Sequence, residues 1–104
     1  MSEGRRVQRV QKELYQLVSQ YLLQHWKGPH PGLLSVVSVD VTADMRSAKV
    51  YVSVLLTEGE NLDSVRASFE EQGGQIQSFV ARNLKMKFTP RLAFKLGTQG
   101  ELSN

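Results

Sequence analysis

Two runs of alternating valines, a few residues apart, constrain this chain more than any other feature. Val37, Val39 and Val41 alternate with Ser38, Asp40 and Thr42. Ala48, Val50, Val52, Val54 and Leu56 then alternate with Lys49, Tyr51, Ser53 and Leu55. Successive side chains of a strand point to opposite faces, so a period of two with one mostly polar set predicts a sheet covered on one side only. The connection from Thr42 to Ser47 is short, and an antiparallel hairpin is the expected pairing.

The cover must come from helices. Val7, Val10, Leu14, Leu17, Val18, Tyr21 and Leu22 recur at three- and four-residue steps, which predicts an amphipathic helix with Arg5, Arg9 and Lys12 on its far side. Gly28-Pro29-His30-Pro31-Gly32 cannot continue it. A second helix is expected from Asn61, a good N-cap, with Asp63 near the positive end of its dipole and Leu62, Val65 and Phe69 as its buried stripe. Each glycine costs about 1 kcal/mol relative to alanine inside a helix, so Gly73-Gly74 predicts a break or kink. A third helix carries Ile76, Phe79, Val80 and Leu84, and ends near Met86 because Lys87 would fall on the apolar face. After Thr89-Pro90, Leu92, Phe94 and Leu96 alternate with Ala93 and Lys95 as a last strand. Phe69, Phe79, Phe88 and Phe94 are read as core, and Trp26 as a core cap or a partner contact. The result is an α+β chain of order α-β-β-α-kink-α-β, with helices on one face of a three-stranded sheet. That order matches the type II KH arrangement, an RNA-binding architecture. Residues 1–97 are expected to form one KH-like RNA-binding domain, and residues 98–104 a short frayed tail.

Composition narrows the function. At 104 residues there is material for one core. The absence of cysteine excludes disulfides, thiolate zinc sites and thiol nucleophiles. No apolar run approaches the roughly 20 residues of a spanning helix. MSEGRRVQRV lacks the apolar region of a signal peptide, so a cytoplasmic location is expected. The net charge of +3 is unevenly spread. Arg82, Lys85, Lys87, Arg91 and Lys95 have no acid among them, and Arg5, Arg6, Arg9 and Lys12 face only Glu3. Glu58, Glu60, Asp63, Glu70 and Glu71 oppose Arg66 alone. Such segregation attracts a polyanion.

Arg82 and Lys85 are therefore candidate phosphate contacts, with Lys87, Arg91 and Lys95 extending one cationic track; the competing reading is a solvated surface. Arg6 and Arg9 fit RNA contact or simple solubility alike. Gly73 and Gly74 suit either a plain turn or close backbone approach to nucleic acid. Tyr51 suits either base stacking or packing beside its neighbours in the strand. His25 and His30 have no cysteine or paired acid at ligand spacing, so no metal site is expected. There is no phosphate-cradling loop with lysine, no Gly-x-Ser-x-Gly elbow and no His-Glu-x-x-His pair, and no catalytic residue is assigned.

Four pieces in order resemble the ribosome-binding factor A family over almost the whole chain. They are Arg6-Val7-Gln8-Arg9-Val10 with Glu13-Leu14; Pro29 to Gly32 leading into Val36-Val37-Ser38-Val39; the string from Val41 to Ser53; and Pro90-Arg91-Leu92-Ala93-Phe94. The most specific is Val41-Thr42-Ala43-Asp44-Met45-Arg46-Ser47-Ala48-Lys49-Val50-Tyr51-Val52-Ser53, which is similar to the family's strand, Asp turn and strand. The family carries an Ala-x-Gly turn where other KH domains have Gly-x-x-Gly; Gln72-Gly73-Gly74 stands here, so the glycine matches and the alanine does not. The resemblance implies a monomeric bacterial-type factor that binds the small ribosomal subunit and supports late maturation and processing of its rRNA, particularly in the cold. It would act without cofactor, small-molecule substrate, membrane or turnover. Two alternatives are a general single-stranded RNA module of KH type and a protein-interaction adaptor using the acidic helix or Trp26.

Overall fold

The structure, a computed structural model, describes residues 3–28, 33–56, 59 and 61–98. The loop of Pro29 to Gly32, with His30, lies outside the described residues, as do Glu58, Glu60 and the tail beyond Thr98. The elements run α1 (Glu3–Gln24), β1 (Leu34–Val41), β2 (Ser47–Val54), α2 (Leu62–Leu84) and β3 (Arg91–Gly97). β2 is central: it pairs antiparallel with β1, as the short turn requires, and parallel with β3. The long return through α2 is what permits the parallel pair.

Ala48, Val50, Val52 and Val54 of β2 are buried, and the strand's other face stays open. α1 lays Val10, Leu14, Val18, Tyr21 and Leu22 on the covered face, and α2 adds Val65, Phe69, Ile76, Phe79, Val80 and Leu84. Leu92, Phe94 and Leu96 of β3 are half-buried against the same core. Trp26 is half-buried and packs its ring 4.6 Å from that of Phe69, which fits the core-cap reading of the two.

Three expectations need correction. The first concerns β1. Val39 and Val41 are buried, but their buried companions are Leu34 and Val36, whereas Val37 is 44% exposed. The register slips between Val36 and Ser38. An extra residue in one strand of a pair reverses the phase of the alternation, so Val37 faces away from the core.

Second, the helix expected to break at Gly73-Gly74 runs through both as one element, from the Asn61 cap to Leu84. The two glycines together cost about 2 kcal/mol. The stripe Val65, Phe69, Gln72, Ile76, Phe79, Val80 and Leu84 keeps its period across them, and fully burying a single large apolar side chain contributes about 1.5–3 kcal/mol. The packing outweighs the propensity. The cap is as expected: the Asn61 side chain accepts from the Ser64 amide at 3.0 Å.

Third, α2 stops at Leu84 because Lys85 adopts left-handed backbone (φ 58°). The chain turns there, and Phe88, read from the sequence as core, lies in the following loop with 75% of its surface exposed.

Candidate nucleic-acid interface

The turn from Thr42 to Ser47 is built by Asp44. Its carboxylate accepts from the Thr42 hydroxyl at 2.7 Å and from the Arg46 amide at 3.0 Å, which together hold the carboxyl below the usual carboxylate range. Met45 takes left-handed backbone (φ 60°) and donates its amide to the Thr42 carbonyl at 2.8 Å. The turn therefore presents Arg46 outward at one end of the sheet, with Met45 half-buried against the core beside it. The Arg91 amide donates to the Arg46 carbonyl at 2.9 Å, which brings the start of β3 to the same place.

The exit of α2 and the first turn of α1 arrive there too. Arg6, Met45, Arg46, Lys85, Met86, Lys87 and Phe88 line one groove of about 740 Å³, together with Asp44 and Thr89. A smaller hollow beside it, lined by Arg6, Arg9, Glu13 and Lys85 among others, continues the basic surface onto α1. Of the residues predicted to contact RNA, the fold thus gathers Arg6, Arg9, Lys85 and Lys87 at one end of the molecule. Arg91 is tied to Arg46 by its backbone amide, but it lines a separate groove between α2 and β3 with Arg66, Glu70 and Gly73. Arg82 lines a different groove, between the end of α1 and α2, with Lys27, His25 and Gly74. Lys95 stands opposite Tyr51 on the open sheet face, where Lys49 is also exposed.

Among the described residues, Arg66 pairs with Asp63 at 2.8 Å, and none of Arg6, Arg9, Arg46, Arg82, Lys85, Lys87, Arg91 or Lys95 forms a salt bridge, although Arg46 is attracted by the nearby Asp44 carboxylate. Arg6 sits in the first turn of α1, where the helix dipole repels a cation. Its position does not serve the stability of that helix.

Sequence reading missed Arg46, which looks balanced by Asp44, two residues before it. It also missed two amide clamps on α2. Gln72 is buried; its Oε1 accepts from the Lys27 amide at 3.0 Å and its Nε2 donates to the Lys27 carbonyl. Gln77 donates to the Pro90 carbonyl at 2.9 Å and accepts from the Leu92 amide at 3.0 Å. One clamp fixes the chain leaving α1, and the other fixes the start of β3. Gly73 and Gly74 lie between them, and a Cβ at either would meet nothing within 4 Å. The helix backbone is therefore open to close approach at this point. Tyr21 hydrogen-bonds towards Gln72 and Gln75 at 3.3 and 3.2 Å, and burial pushes its phenol up.

Among the described residues, no group of three or more His, Asp or Glu is placed to hold a metal ion. None of their helices is long and apolar enough to cross a membrane.

Comparison with known proteins agrees with the resemblance in the sequence. The family model for ribosome-binding factor A matches residues 6–103. The Bdellovibrio bacteriovorus ribosome-binding factor A is 41% identical over 96 residues, covering 92% of this chain and 71% of that protein. The crystal structure of the Thermus thermophilus factor superposes with a TM-score of 0.72 at 21% identity, covering 86% of this chain and 94% of that one. A second Thermus thermophilus structure, a homology model fitted into a cryo-EM map of a 30S complex with the factor, gives a TM-score of 0.67 at 25% identity, covering 82% of this chain and 88% of that one. The fold is the KH-like α+β fold of these structures, with a three-stranded mixed sheet. The chain belongs to the ribosome-binding factor A family.

Proposed function

We propose that this protein binds the small ribosomal subunit through phosphates of its rRNA and supports late maturation and processing of that RNA, by occupancy and without turnover. The observation that carries the reading is the convergence of Arg6, Arg46, Lys85 and Lys87, from α1, the β1–β2 turn and the exit of α2, on one groove whose single acid among the described residues is Asp44, with no salt bridge to any of the four. Four cations brought together from distant parts of the chain repel one another, and an external polyanion relieves that repulsion. The fitting of a family member into a 30S complex supports the choice of the small subunit as the polyanion.

Arg9 extends the surface along α1, and Arg91 adds a contact from the separate groove between α2 and β3. Arg82 and Lys95 add phosphate contacts further along α2 and β3. The open backbone at Gly73 and Gly74 leaves room for close approach to the helix, in grooves that hold Glu70 and Glu71 as well as Lys27 and Arg82. Contacts of this kind position RNA more than they read sequence. The protein works as a monomer in the cytoplasm, with the folded rRNA surface supplying specificity, and the demand for it is greatest in the cold, where misfolded rRNA escapes slowly.

Gradient sedimentation tests the proposal. Wild-type protein travels with free small subunits, less so with mature ribosomes, and is released as salt rises. A variant with Arg82, Lys85 and Lys87 all changed to alanine stays near the top. Sedimentation of that variant with the subunit like wild type refutes the RNA-phosphate reading.

A further inference from the structure

Phe88 is the most exposed aromatic among the described residues, at 75%, and the chain makes a left-handed turn at Lys85 that puts it outside the core. It lines the same groove as Arg6, Arg46, Lys85 and Lys87, together with Met45, Met86 and the single acid Asp44. The Lys87 ammonium lies 5.7 Å from its ring centroid. The two described non-glycine residues with positive φ, Met45 and Lys85, both line this groove, so unfavourable backbone is concentrated where the aromatic is displayed.

An apolar ring among four cations and one acid is a poor seat for a protein partner, because the centre of a protein interface is depleted of charge. A nucleotide needs both parts at once: a planar face for its base, and positive charge one sugar away for its phosphate. We infer that Phe88 is the stacking platform for one unpaired nucleotide of the bound RNA, with Lys87 and Lys85 on its flanking phosphates and Arg6 and Arg46 on the next. The inference rests on the RNA-binding reading above and adds a base contact to it. Stacking on an aromatic is tolerant of base identity, so the site selects an unpaired, extruded nucleotide and not a particular letter.

Equilibrium binding to purified free small subunits tests it, with Phe88→Ala, Phe88→Leu, Phe88→Trp and a Lys85→Ala/Lys87→Ala double variant. Thermal unfolding of each confirms that an exposed side chain was changed without loss of the fold. Phe88→Ala is expected to weaken binding by about tenfold to a hundredfold. Phe88→Leu, apolar but without a π face, weakens it similarly, and Phe88→Trp retains it. The salt dependence of the three Phe88 variants stays that of wild type, since no cation is removed. Wild-type affinity in Phe88→Ala overturns the inference, and full retention by Phe88→Leu overturns it in favour of apolar contact with a ribosomal protein. If the double lysine variant also binds like wild type, the RNA reading itself falls; if only the Phe88 variants do, that reading stands and the stacking site is refuted.

Discussion

Lys85 holds two roles that substitution can separate. It ends α2 in left-handed backbone, and its side chain is one of the cations of the groove. Left-handed backbone costs an L-residue about 1–2 kcal/mol, whereas glycine adopts it freely. Glycine's greater freedom in the unfolded chain takes back about 0.4–1 kcal/mol relative to alanine. Lys85→Gly should therefore be more stable than Lys85→Ala by about 0.8 kcal/mol. Both variants lose the same favourable charge at the helix C-terminus, about 0.3–1 kcal/mol, so that contribution cancels between them. For a domain of this size the difference appears as a gap of about 3–6 °C in Tm. Subunit binding should respond differently. Both variants lose one phosphate contact, so both weaken equally, and the slope of log K against log salt falls by about 0.7–0.9 in each. Differential scanning calorimetry and a salt titration read the two effects separately. Equal Tm values, or a less stable glycine variant, would show that residue 85 is not left-handed in solution and remove the reason given for Phe88 being exposed.

Other substitutions probe the remaining arguments. Gly73→Ala and Gly74→Ala should each raise stability by about 0.5–1 kcal/mol in urea unfolding, since the helix is continuous and a Cβ meets nothing there; destabilisation by either would mean that the helix is broken in solution. Gln72→Leu should cost about 1–3 kcal/mol, because the backbone N–H and C=O of Lys27 lose their partner, and the denaturation midpoint should drop with its slope unchanged. For Asp44 the folded pKa is depressed, so its contribution is fully present above the ordinary carboxylate value of about 3.9 and is lost as pH falls through the lower folded value. Asp44→Asn should flatten that acid-side step in stability, and an unchanged pH profile would contradict the turn geometry.

How much of this was legible in the sequence depends on the range of the interactions involved. The inward faces of α1, β2 and β3 were readable because each follows from a period in neighbouring residues, and the Asn61 cap because capping is local. β1 was misphased because Val36 and Val37 are both apolar, and only the pairing with β2 decides which one turns inward. The continuity of α2 across Gly73-Gly74 depends on packing against α1 and β3, which outweighs the local preference. Gln72 left a usable signal, since it occupies a buried position of the stripe between Phe69 and Ile76. Its partner, the backbone of Lys27, lies 45 residues away and has no signature. Phe88 looked like core because nothing in Leu84-Lys85-Met86 announces a left-handed turn where glycine is usual. For the site, the basic character of residues 82–95 was plain. Its division between three grooves and the open sheet face, and the arrival of Arg46 beside Lys85 and Lys87, come from tertiary structure alone.

The central claim is that the cations meeting at the α2 exit neutralise rRNA phosphates. The most direct measurement is the salt dependence of equilibrium binding to free small subunits, for wild type and for a variant with Arg6, Arg46, Lys85 and Lys87 changed to glutamine. The slope of log K against log salt should fall by about 3 units in that variant, four contacts at about 0.7–0.9 each, with the fold intact. A slope equal to that of the wild-type protein would mean that these four side chains touch no phosphate, and the account would be wrong.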